Sequence, residues 1–250
     1  MRVPVVTLTA VGLAVGCFIC FNSIEDKKTT ETEKFVTVAE IAAVEEKAEV
    51  KEAESMIETE SKAEIEEDTE MAYVSPYDFA ELHAINDDIV AWVTIPETSV
   101  DYPIVFNGDE DYLEKGLDGQ YSYSGTPFVD KEASEPMKDN VNIVYGHHMK
   151  DGSMFAAIDE YNDPDFFKAH NNIIVFLEEE ELSLTPIVTI TGKADASVRT
   201  IDSVDSLNEF AEGKTISAGE LPENVDDLYV FVTCNYTGND YRTYLICSND

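Results

Sequence analysis

Beyond residue 88 the chain is cut into short apolar runs, rich in β-branched and aromatic residues and separated by Gly, Pro, Asn and Asp clusters. Such runs read as strands. The pattern predicts strands at 89–95, 102–106, 126–129, 141–145, 173–177, 187–193, 229–233 and 241–246. Helical spacing occupies 77–85, with Ser75 as the expected cap and Pro76 in the first turn. Further helical pieces fit 110–115, 153–161, 164–170 and 204–212. Many short strands, few helices and irregular connections predict a mainly β fold: a closed β-barrel with an N-terminal helix and helical insertions.

The first 75 residues follow other patterns. Residues 3–21 are almost uninterruptedly apolar behind Arg2, which as a helix reaches roughly 28 Å, near the thickness of a bilayer core. An uncleaved anchor, a cleaved signal peptide and a lipoprotein signal ending Ala14-Val15-Gly16-Cys17 all fit this stretch. Because the apolar run continues through Phe18-Ile19-Cys20-Phe21, a membrane anchor over 1–22 is the expectation. Residues 23–75 are rich in Glu, Ala and Lys and contain no Gly. That composition suits a partly helical, acidic stalk, leaving 76–250 as the globular domain.

Charge narrows the partners. With 52 acidic and 16 basic side chains the formal net charge is -36, which excludes nucleic acid, since phosphate binding needs basic surface. An acidic domain steers cationic partners towards itself, although solubility alone explains such a charge. Cys17 and Cys20 lie in the apolar run, so Cys234 and Cys247 are the cysteines of the domain.

The last two predicted strands flank a turn, Thr237-Gly238-Asn239-Asp240. Centring it on Gly238 sets Cys234 directly opposite Arg242, and directly opposed residues share a face with Cβ atoms roughly 5 Å apart. A cation beside a thiol favours the nucleophilic thiolate. Cys247 falls on the opposite face, roughly 16 Å along the strand from the Arg242 position, so a disulfide with Cys234 is not expected. A proton shuttle is offered by Tyr145-Gly146-His147-His148. The ordinary reading of a strand-end cysteine is a small buried apolar residue, and the hairpin alone does not displace it.

The residues that do are in several stretches, in order. Asp78-Phe79, Leu82, Ile85-Asn86, Ile89-Val90-Ala91-Trp92-Val93 and Ile95-Pro96 come first, then Gly146-His147-His148-Met149-Lys150-Asp151-Gly152-Ser153-Met154-Phe155, then Thr233-Cys234 followed by Arg242. Together they resemble the sortases, class B in particular, over nearly all of residues 77–247. The resemblance implies an eight-stranded sortase-type barrel and an extracellular cysteine transpeptidase held at the cell membrane by its N-terminal helix. It implies a substrate protein bearing a C-terminal sorting motif, cleavage after threonine through a thioester, and transfer to an amine of a peptidoglycan precursor or of another protein, as in pilus assembly. It assigns Cys234 as nucleophile, His147 as acid and base, and Arg242 as oxyanion or substrate-backbone donor; no cofactor is expected, and the many carboxylates show no metal-ligand spacing. His147 is preferred to His148 because the family's histidine directly follows the glycine. Where the family's cysteine strand usually has leucine this chain has Phe231, a bulk expected to reshape the substrate groove. A papain-like protease is disfavoured, since those enzymes place Cys ahead of His. A non-catalytic, membrane-tethered peptide-binding barrel with an inert Cys234 is the reading from a different class.

Overall fold

The computed structural model describes residues 73–249. The expected anchor at 1–22 and nearly all of the expected stalk at 23–75 lie outside the described residues. Among the described residues no helix is long and apolar enough to cross a membrane.

Helix α1 (Phe79–Ile85) opens the domain. Its cap is Asp78 rather than Ser75: the Asp78 carboxylate accepts from the backbone N–H of Ala80 at 2.9 Å and of Glu81 at 3.1 Å, satisfying two of the donors a helix start leaves open. Ser75 and Pro76 therefore precede the helix. Phe79 and Leu82 bury themselves against Trp92, Val105 and Phe128. Trp92, wholly buried, stacks on Tyr77 at 4.7 Å and donates its indole N–H to Asp101 at 2.7 Å.

Eight strands close a ring. In spatial order they are β5 (Ile173–Phe176), β1 (Ile89–Thr94), β2 (Asp101–Val105), β3 (Phe128–Val129), β4 (Val141–Tyr145), β8 (Leu228–Asn235), β9 (Tyr241–Asn249) and β6 (Glu181–Lys193), which pairs back onto β5. Strand β7 (Thr215–Gly219) hangs outside the ring on β6. Closure leaves the ring without free edges. All eight expected strands are present. β6 begins six residues earlier than expected: Leu182 and Leu184 alternate with polar neighbours and point into the core, and Pro186, which reads as a break in sequence, sits at a register shift between Pro186 and Val188. β7 is not among the expected strands because Thr-Ile-Ser-Ala-Gly carries little apolar signal. The expected helix at 110–115 is reduced to a 3-10 turn, Asp111–Leu113. The other helices are α2 (Ala156–Glu160), α3 (Pro164–Ala169) and α4 (Val204–Ala211), the last held by a Ser203–Ser206 capping box.

Alternation along β8 and β9 builds two cores. Tyr229, Phe231, Leu245 and Cys247 point into the barrel, where every ring strand contributes and Phe155, Ile158 and Tyr161 plug the space. Val230, Val232, Tyr244 and Ile246 point outward under Leu207 and Phe210 of α4. This corrects one expectation. Phe231 is fully buried inside the barrel, edge-on to Phe155 at 6.0 Å, so its bulk fills the core and does not shape a groove. Phe231→Ala should therefore lower the unfolding free energy by about 3–5 kcal/mol, measured from urea denaturation midpoints, whereas a surface groove residue would cost under about 0.5 kcal/mol.

Candidate active site

The β8–β9 register pairs Cys234 with Arg242 directly. Both stand on the outward face, continuing the Val232 and Tyr244 row. Strand β4 runs parallel to β8, with Tyr145 beside Val232, and so delivers Gly146 and His147 alongside Thr233 and Cys234. The delivery is tied at two points: the Gly146 N–H donates to the Val232 carbonyl at 3.1 Å, and the Thr233 hydroxyl donates to the Gly146 carbonyl at 2.9 Å. Glycine is required at 146, since a Cβ there would lie 2.5 Å from the Phe155 ring.

His147, Cys234 and Arg242 line one cleft of about 560 Å³. Its floor includes Tyr145, Val232 and Tyr244, and its walls include Leu113 and the turn from Ala194 to Arg199. The structure thus brings together the three residues singled out in sequence. His148 does not line this cleft. The His147 Nε2 faces the Leu113 carbonyl at 2.8 Å. A carbonyl only accepts, so Nε2 carries the proton and Nδ1 is left as the basic nitrogen. Cys234 is half-buried and free; Cys247 is also free, but fully buried in the barrel. Burial alone pushes the Cys247 thiol far above the usual thiol range. The Arg242 guanidinium donates to the Tyr241 carbonyl at 3.0 Å and pairs with Asp240 at 3.3 Å.

One cleft residue escaped the sequence reading. Arg199 lines the wall, donating through Nε to Asp130 at 2.6 Å and through Nη2 to Glu110 at 3.0 Å. Burial alone would lower the Arg199 pKa, but the Asp130 hydrogen bond and charge, together with Tyr145 and Glu110, outweigh it and hold the guanidinium charged. Its partners lie 69 and 89 residues away, so no local pattern announces it. Burial, and then the Asp130 charge, push the Tyr145 hydroxyl well up. Across the wall, Asp195 is held down to about 2, chiefly by the Lys214 hydrogen bond at 2.7 Å. The carboxylates that line the cleft are therefore paired: Glu110 with Arg199 and Lys131, and Asp195 with Lys214. His83 and His170 serve packing, His83 bonding the Ile89 carbonyl at 2.9 Å and His170 stacking on Phe166 at 3.9 Å.

No family model matches the chain. Over 94 residues it is 40% identical to Sortase B of Listeria monocytogenes, a stretch covering 37% of this chain and 38% of that relative. Over 96 residues it is 31% identical to Sortase B of Staphylococcus aureus, covering 38% of this chain and 39% of that relative. These matches span well under half the length of the curated relatives. The crystal structure of a Streptococcus pyogenes class B sortase involved in pilus biogenesis superposes with a TM-score of 0.59 at 26% identity, over 68% of this chain and 96% of that one. The eight-stranded barrel is the sortase fold, and the likeness in sequence and in structure is to class B.

The depressed Asp195 makes a pH prediction. A carboxylate held below its ordinary value of 3.8 contributes stability that is present above that value and is lost as pH falls towards about 2. Asp195→Asn should therefore shrink the fall in urea midpoint between pH 5 and pH 2 relative to the unsubstituted chain. An equal fall in both would show that the Lys214 pair contributes nothing to the fold.

Proposed function

We infer that this sortase-B-like chain is a cysteine transpeptidase that works on protein sorting motifs outside the cell. The observation that carries the reading is the register pair Cys234–Arg242, opening with His147 into a single cleft of a sortase-fold barrel. The Cys234 thiolate attacks the carbonyl of the motif's threonine. Arg242 presents planar, permanently charged donors to the developing oxyanion or to the substrate backbone. His147 protonates the departing amide nitrogen, leaving the acyl group on sulfur as a thioester, and then takes a proton from the incoming amine as the new amide forms. The acceptor is a primary amine of the cell wall or of a second protein. The apolar run at 1–22 anchors the chain in the membrane and the acidic segment 23–75 holds the barrel away from it.

Incubation of residues 73–250 with a library of peptides that end in candidate sorting motifs, plus an amine, tests the reading. Cleavage after threonine with an amide product is expected. Cys234→Ala should abolish it. Arg242→Lys should lower kcat about 10²–10³-fold, because a point charge does not reproduce the planar fork. Peptide binding without cleavage, together with slow labelling of Cys234 by iodoacetamide that no bound peptide alters, would instead indicate a binding barrel with an inert cysteine.

A further inference from the structure

In each of the three strand-end segments, the residue after the cleft residue turns to the other side of the wall, and all three meet one carboxylate. After His147 comes His148, whose Nδ1 lies 3.6 Å from Asp159 Oδ2. After Cys234 comes Asn235, whose amide donates to Asp159 Oδ1 at 2.7 Å. After Arg242 comes Thr243, whose hydroxyl donates to Asp159 Oδ1. Strand alternation explains the shared direction: what points outward at Cys234 and Arg242 obliges Asn235 and Thr243 to point inward. There they lie beneath α2, which carries Asp159.

The network around this carboxylate is closed. Asn162 donates to Asp159 at 2.9 Å and to the Thr243 hydroxyl at 3.0 Å, and its own carbonyl accepts from Thr191 of β6 at 2.7 Å. The Asn235 carbonyl accepts from the Thr237 N–H at 2.9 Å, which fixes the amide with its nitrogen towards Asp159. His148 Nδ1 also faces the Cys234 carbonyl at 2.9 Å. Both groups facing that nitrogen are acceptors, so Nδ1 carries the proton and donates. Tyr236 closes the outer side, its ring 4.6 Å from the His148 ring and its hydroxyl donating to the His148 carbonyl at 2.6 Å.

We propose that Asp159 is a positioning residue that sets the spacing of thiol, imidazole and guanidinium from behind the wall they occupy. The proposal rests on the transpeptidase reading for its chemistry and on the geometry above for its content. A carboxylate accepting from β8, from β9 and from the turn after α2, and facing a histidine just beyond the end of β4, ties together the three backbones that carry the cleft residues. Neutralising it leaves the volume intact but reverses one contact. An asparagine at 159 that keeps its carbonyl towards Asn235 and Thr243 must turn its NH₂ towards the His148 N–H, donor against donor.

The test is Asp159→Asn in the full chain, with Glu160→Gln, an exposed neighbour on the same helix, as the charge control. Two measurements are made: the pH midpoint for iodoacetamide alkylation of Cys234, and kcat and KM for peptide cleavage per alkylatable Cys234 thiol. Loss of a nearby negative charge, by itself, would move the alkylation midpoint down. Loss of alignment with Arg242 and His147 moves it up. The cleft's other charged groups, Arg199, Glu110 and Asp195, are unchanged in both variants. The expected result is a midpoint at least half a pH unit higher in Asp159→Asn, unchanged in Glu160→Gln, with kcat per thiol down about tenfold or more and KM within twofold. A midpoint that stays or falls, or a kcat per thiol that is preserved while only the melting temperature drops, overturns the positioning role. The alkylation arm needs no substrate. If the unsubstituted chain cleaves no peptide, the transpeptidase reading fails while the alkylation midpoint still decides the role of Asp159.

Discussion

The register of one antiparallel pair governs this molecule. Cys234 faces Arg242 because β8 and β9 are joined by a short turn that fixes their pairing, and a slip of a single residue would put the two side chains on opposite faces of the sheet. The slip is prevented on both faces. Inward, Phe231, Leu245 and Cys247 pack against α2 and the other ring strands; outward, Val230, Val232, Tyr244 and Ile246 pack under α4. A one-residue shift of β9 would exchange its faces and carry the Arg242 charge into the apolar barrel. The Cys234–Arg242 pair is a consequence of packing, and its precision is inherited from a largely buried hairpin.

The third group arrives by a different route. His147 lies just beyond the end of β4, so no ladder holds it directly. It is held by the Gly146 contact to Phe155, the two bonds from Gly146 to β8, and the Leu113 carbonyl that fixes its tautomer. On the transpeptidase reading this division is chemically sensible. A nucleophile and an oxyanion donor must be rigid relative to each other, whereas an acid and base must serve a leaving amine and then an incoming one.

Much of this was legible in the sequence because it is local. The hairpin register follows from turn residues and β-branched runs, and all eight ring strands were marked by their apolar content. The direction of Cys247 followed from alternation alone. What escaped is nonlocal or depends on competition between neighbouring signals. Asp78 and Ser75 both suit a helix start, and only the chain path shows that Asp78 reaches the first amides. Phe231 was expected to reshape the groove because it replaces the leucine of the sortase cysteine strand, while its pairing with Leu245 sends it inward. Arg199 draws its two carboxylate partners from 69 and 89 residues away, and Asp159 draws its two strand donors from 76 and 84. One signal for the second was present: Asn235 and Thr243, like Thr233, are polar residues on inward positions of a row that is otherwise apolar. A polar residue in such a row demands a buried partner.

The most direct test of the central claim is intact mass spectrometry of the chain quenched in acid while turning over a sorting-motif peptide. The account predicts a single hydroxylamine-labile adduct with the mass of the peptide fragment ending in threonine, mapping to Cys234, and absent from Cys247. Cleavage that proceeds with no adduct on Cys234, or an adduct on another residue, would contradict it.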